Sequence, residues 1–205
     1  MIDKIKVIKR KSEFKYKEKG STFIGIVLEA ETEDKAIEFL NNCKKNYYDA
    51  SHICYSYKIS PNTIKYSDAN EPRGTAGIRI LNAINHFGLT NIILIVVRYF
   101  GGIKLGVGNL GKAYYHTAME TIKAAGIIEK KTYKMINVEF EFEETKLIHH
   151  ILNKYNTIIE KIDYTPKPKI HFLIQPSEIE SLKKDLDSSL KLNYAINESN
   201  KIVYR

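Results

Sequence analysis

Residues 91–117 read NIILIVVRYFGGIKLGVGNLGKAYYHT. Within them, 92–97 is an unbroken apolar run rich in β-branched side chains, the pattern of a strand covered on both faces. Arg98, Tyr99 and Phe100 end the run, and Gly101, Gly102, Gly106 and Gly108 follow within eight positions. Glycine at that density marks a shaped loop, because each one costs chain entropy unless the backbone needs a positive φ or a close approach. Beyond the loop, Leu110, Ala113, Tyr114, Thr117, Ala118 and Ile122 recur at helical spacing. Strand, glycine loop and helix start arrive together, with Lys104 and Lys112 beside them. The unpaired N–H groups of a helix N-terminus with lysines nearby offer a seat for phosphate.

Two nucleotide fingerprints overlap this loop. Gly106-x-Gly108-x-x-Gly111 matches the dinucleotide pattern, and residues 106–112 spell GxxxxGK. Ala113 stands where a P-loop needs a Ser or Thr hydroxyl for magnesium. Residues 100–105 separate the strand from a turn that a dinucleotide fold places directly after it. Neither nucleotide fold is expected. The glycines read either as an anion-binding loop or as the means by which a helix packs closely on a strand.

A chain of 205 residues makes one large domain or two small ones, and 43% hydrophobic with 27% charged residues suits a folded protein with a core. There is no run of 18 apolar residues and no charged-then-apolar leader, so neither a membrane span nor export is expected. Cys43 and Cys54 stand alone without a CxxC motif, which fits reduced thiols in the cytoplasm. The net charge of +8 is unevenly spread. Residues 1–130 carry 20 basic and 13 acidic side chains, a net +7, and residues 131–205 carry 12 and 11, a net +1. That asymmetry points the first part toward a polyanion, although a lysine-to-arginine ratio of 27 to 5 also reflects biased composition.

In chain order, residues 1–19 read as one basic edge strand, alternating through Ile2, Ile5 and Val7, followed by a charged turn. Residues 21–30 form a strand. Residues 31–45 form an amphipathic helix capped by Thr32, with Ala36, Ile37, Leu40 and Cys43 inward. Residues 51–59 alternate as a half-buried strand, and 64–67 return as another after a Pro61-Asn62 turn. Then comes SDANEPRGTAG, residues 67–77, ahead of a helix carrying Ile78, Ile80, Leu81, Ile84 and Phe87, with Thr75 as its N-cap and Gly88 as its stop. Asp68 and Glu71 are candidates for general acid/base work, for metal ligation, or for simple pairing with Arg73, Arg79 and Arg98; His52 and His116 are able to join them. After Gly126 and the Lys130-Lys131 boundary, the expected order is strand 133–142, helix 144–155, strands 157–164 and 168–175, helix 176–190 and strand 192–203. That is the βαββαβ order of the ferredoxin-like split unit. His149 and His150 are adjacent on a helix and point apart, so no shared metal is expected there.

SDANEPRGTAG, followed some twenty residues later by VVRYFGGIKLGVGNLGKAY (96–114), resembles the signature of the IMPACT family of translation regulators. KGSTFIGIV (19–27) and ASHICYSY (50–57) fit the same pattern, and the resemblance covers most of 14–126. Ala69-Asn70 stand where the family usually has Asp-Gly, and Asn109 where it has glycine, which leaves one carboxylate fewer for a metal. The resemblance implies the bacterial two-domain branch, an α+β protein. Domain 1–130 would be ribosomal-protein-S5-like, akin to domain IV of elongation factor G, and domain 131–205 would be ferredoxin-like, akin to domain V of that factor.

The resemblance and the charge together suggest a cytoplasmic, non-enzymatic protein that binds RNA or the ribosome, with a protein partner in translation control as a further option. Arg73, Gly74, Thr75, Arg79, Arg98, Lys104, Gly106, Gly108 and Lys112 would supply phosphate contacts. Tyr99, Phe100 and Tyr114 would stack on bases or, equally, anchor the core. The alternatives are an enzyme acting on a phosphorylated small molecule or nucleic acid ester through Asp68, Glu71 and His52, and a protein-interaction module using the C-terminal domain. No cofactor and no metal are expected.

Overall fold

The structure is a computed structural model that describes residues 3–189 and 194–205. Ile2 of the expected first strand, residue 190 of the expected last helix and residues 192–193 of the expected last strand lie outside the described residues. The chain divides into two units, Lys6–Glu129 and a second made of Lys130–Arg205 together with Met1–Ile5.

The basic segment before residue 20 forms two strands where one was expected. β1 (Lys4–Ile8) and β2 (Ser12–Glu18) belong to different sheets. β2 turns through Lys19 and Gly20, at φ 44° and 80°, into β3 (Ser21–Glu29), a two-residue hairpin loop with positive φ at both positions. α1 (Glu33–Asn46) follows, with the Thr32 hydroxyl accepting from the Lys35 N–H. Its inward stripe is Ala36, Leu40 and Cys43. Ile37 is 42% exposed against expectation, because it sits about 100° round the helix from Ala36. β4 (His52–Ser60) and β5 (Thr63–Ser67) form a hairpin, and α2 (Gly77–His86) leads to β6 (Ile92–Tyr99).

β6 is the central strand in the order β2-β3-β6-β4-β5 and pairs antiparallel with both β3 and β4. Its alternate side chains serve two cores. Ile92, Leu94 and Val96 face α2 and the long α3 (Val107–Ala125), while Ile93, Ile95 and Val97 join the α1 stripe and Tyr57. The apolar run is continuous because helices cover both faces of the sheet. Leu110, Ala113, Tyr114, Thr117, Ala118 and Ile122 are all buried on α3, and Gly126 at φ 72° ends it.

β7 (Ile127–Glu139) starts directly after Gly126 and runs through the division between the units without a loop. A 3₁₀ turn at Phe142–Glu144 opens α4 (Thr145–Leu152). β8 (Ile158–Asp163), β9 (Lys169–Ile174), a second 3₁₀ turn at Pro176–Glu178, α5 (Ile179–Ser189) and β10 (Ala195–Tyr204) complete the chain. β10 pairs with β7, β7 with β9 and β9 with β8, all antiparallel, which is the split βαββαβ arrangement; β1 also joins β7. Ile148, Ile151, Leu152, Ile179, Leu182 and Leu186 of this unit cover Ile136, Val138, Ile170, Phe172 and Ile174 of its sheet. The protein is thus α+β in two units with two antiparallel sheets.

Candidate functional site

The turn after β5 decides where Asp68 points. Ala69 and Asn70 both adopt positive φ, 46° and 67°. The Asp68 carboxylate accepts from the Gly74 N–H at 2.9 Å through Oδ2, and from the Ala76 and Gly77 N–H groups at 3.0 and 2.8 Å through Oδ1. A carboxylate that takes the Ala76 and Gly77 N–H groups at the positive end of α2, and the Gly74 N–H of the turn before it, is a strong cap. Thr75 is therefore not the cap; it is buried, its hydroxyl donates to the Pro72 carbonyl at 2.6 Å, and its N–H donates to the same carbonyl. The helix start that was expected to seat a phosphate through Gly74 and Thr75 is filled by the protein's own Asp68.

Glu71 is buried beside it. Its Oε1 accepts from Arg98 Nη1 at 2.7 Å and from the Tyr114 hydroxyl at 2.8 Å. Arg98 Nη2 donates to Ser21 Oγ at 3.3 Å, and its Nε is buried without a hydrogen-bond partner among the described residues. His52 donates from Nδ1 to the Ala69 carbonyl at 2.9 Å, which sets Nε2 3.9 Å from Glu71 Oε2. Cys54 Sγ donates to the Asp68 carbonyl at 3.0 Å and lies 3.4 Å from the Tyr114 hydroxyl. Burial pushes the Cys54 thiol up to about 12, and burial with Cys54 and Glu71 alongside also raises Tyr114. Asp68, Glu71 and His52 thus share one cluster, but both carboxylates are already engaged and the thiol keeps its proton. Among the described residues no three His, Cys, Asp or Glu side chains converge as metal ligands. Chemically, the cluster can lock the two motifs together.

A groove runs between α2 and α3. Arg79, Asn82, Gly108, Gly111, Lys112 and Tyr115 line a cavity of about 380 Å³. Arg79 Nε donates to the Gly74 carbonyl at 3.2 Å, and a Cβ at Gly111 would stand 3.3 Å from that nitrogen. Gly111 thereby leaves room for the guanidinium, and the two motif segments meet. Of the residues singled out in the sequence, Arg79, Gly108 and Lys112 come together here. Arg73, Lys104 and Gly106 are exposed but do not line the groove. Arg98 is 5% exposed against Glu71 and is not on the surface. Tyr114 is fully buried, and Tyr99 is half-buried with its hydroxyl donating to Asp49 Oδ1 at 2.8 Å. Asn82, Gly111 and Tyr115 were missed as site residues. The signal was a second helical stripe, Gly108, Gly111, Lys112 and Tyr115 at i, i+3, i+4 and i+7, flanking the apolar one.

Comparison with known proteins places these motifs in context. Residues 19–122 match the family model described as the Impact N-terminal domain. The chain is 31% identical over 160 residues to IMPACT family member YvyE of Bacillus subtilis, covering 77% of this chain and 74% of that protein. It is 35% identical over 132 residues to an IMPACT family member in the pol 5′ region of Thermus thermophilus, covering 64% and 72%. A crystal structure of a hypothetical protein aligns with 96% of this chain and 97% of its own at a TM-score of 0.69, with 23% identity, and so shares the fold.

Proposed function

The chain belongs to the IMPACT family, and from that premise we propose that it is a translation regulator whose unit Lys6–Glu129 binds RNA, free or in the ribosome, along the α2–α3 groove. The groove itself carries the reading: Arg79 and Lys112 stand on its two walls, Gly108 leaves an open, side-chain-free position where a phosphodiester strand would approach, and Gly111 makes room for the Arg79 guanidinium. Arg73 and Lys104 are also exposed, in the part of the chain, residues 1–130, whose net charge is +7. Phosphate contacts of this kind supply sequence-independent affinity by counterion release. Residues 131–205, at net +1, would contribute little to that attraction. The location this implies is cytoplasmic; no helix among the described residues is long and apolar enough to cross a membrane. Hydrolysis through Asp68, Glu71 and His52 is the weaker reading, because the helix start, Arg98 and Tyr114 already occupy both carboxylates.

Binding of single-stranded RNA against salt tests the proposal. Four or five phosphate contacts give a slope of about −3 on a log–log plot, at roughly −0.7 per contact. Lys112→Ala and Arg79→Ala should each make the slope shallower by nearly one contact. A flat response, or a slope carried entirely by residues 1–19, rejects the groove.

A further inference from the structure

The chain leaves β6 at Phe100, whose N–H donates to Ser51 Oγ at 3.0 Å. The Arg98 guanidinium lies 5.5 Å from the Phe100 ring centroid and 5.4 Å from that of Phe23. Phe23 is fully buried, whereas Phe100 is 48% exposed. The guanidinium is thus an inner layer tied down by Glu71 and Ser21, and Phe100 is the outer layer resting on it. Gly101 and Gly102 follow without side chains, nothing lies within 4 Å of a Cβ built on Gly102, and exposed Ile103 and Lys104 come next. Of the three rings with stacking potential in the sequence, Tyr114 is buried and Tyr99 is held by Asp49.

We infer that Phe100 is a stacking platform for one unpaired nucleobase of RNA. The inference rests on the reading of unit Lys6–Glu129 as RNA-binding and names the contact that selects single strands. A base inside a duplex has both faces covered, so only an unpaired base offers a free face to an exposed ring. Glu71 neutralises the guanidinium behind the ring, so the outer face meets a ligand as an aromatic surface, and exposed Lys104 farther along the loop suits a nucleotide's phosphate. The buried Glu71–Arg98 pair supplies rigidity, which spares the platform an ordering cost on binding.

The test uses the full chain and a 12-nucleotide RNA carrying one 2-aminopurine, either single-stranded or annealed to its complement. Wild-type protein should quench 2-aminopurine in the single strand but not in the duplex. Phe100→Leu, which keeps apolar bulk without a π face, should lose the quench. It should also weaken single-strand binding roughly tenfold, with an unchanged salt slope and duplex affinity within about twofold. Phe100→Tyr should retain both the quench and the affinity. Equal weakening on single strand and duplex would make the ring a loop anchor and overturn the platform, as would quenching that survives Phe100→Leu. Absence of quenching by the wild-type protein overturns it independently of how well any variant folds. If the wild-type protein binds RNA with the predicted salt slope and Phe100→Leu binds equally well, the platform falls while the groove stands. If the wild-type protein binds no RNA, both fall.

Discussion

Glu71 and Arg98 form an ion pair whose side chains are only 3% and 6% exposed. Removing one member strands the other without compensation, so Glu71→Ala should cost about 3–5 kcal/mol in chemical denaturation. Recovery of part of that loss in a Glu71→Ala/Arg98→Met double variant would identify the stranded charge as the cause. Cys54 adds a pH dependence with a definite sign. Burial lifts its thiol from the ordinary 9.0 to about 12 in the folded state. Below pH 9 folded and unfolded chains both hold the proton, and the stabilisation is complete. Between pH 9 and 12 only the folded thiol retains it, so stability falls as pH rises, by about 1.4 kcal/mol per pH unit from this group. Cys54→Ala should remove that increment from the alkaline limb of a stability-against-pH curve; an identical limb in the variant would contradict the assignment.

Between elements, two contacts hold the motif segments in register. The Asp68 carboxylate serves two N–H groups at the start of α2 and one in the turn before it, so Asp68→Ala should cost about 1–2 kcal/mol. Thr75→Val, at a buried position off the cap, should cost less, and thermal melts of the two variants make the comparison. At the other segment, a Cβ on Gly101 would stand 1.9 Å from the Gly20 carbonyl carbon. The obstruction is backbone and cannot rotate away. Gly101→Ala should therefore destabilise by about 1–3 kcal/mol through overpacking, whereas Gly108→Ala, with nothing within 4 Å, should not.

Across the whole molecule, the division at residues 129–130 falls inside β7. The Lys131 N–H and carbonyl pair with Arg205, and the Thr132 N–H donates to the Asp3 carbonyl. Paired backbone at this point should exchange its amide hydrogens slowly and resist trypsin despite Lys130-Lys131. Rapid native-state exchange or cleavage there would show that the strand opens. The N-terminal residues also matter to the C-terminal unit, because Asp3 accepts from both the Thr132 and Ser177 N–H groups. A fragment of residues 131–205 should accordingly be less stable alone than the same residues in the full chain, as measured by urea midpoint.

Periodicity alone made most of the fold legible. The apolar run 92–97, the helical stripe from Leu110 to Ile122 and the βαββαβ order after Gly126 depend on local repeats, which survive in a linear reading. The joint spacing of the two glycine-bearing motifs likewise made the family legible. The fate of each charge was not. In the sequence, Arg98 is a cation beside glycines and Asp68 an anion in a loop, equally suited to a ligand or to each other's neighbours. Tertiary structure sent Arg98 inward because it ends the central strand, where Glu71 meets it from a segment 27 residues away. It turned Asp68 onto its own helix because two positive-φ residues reverse the chain there. A sequence states the charge of a side chain but not its counter-ion, and whether a buried or an external anion wins is settled only by which elements pack together.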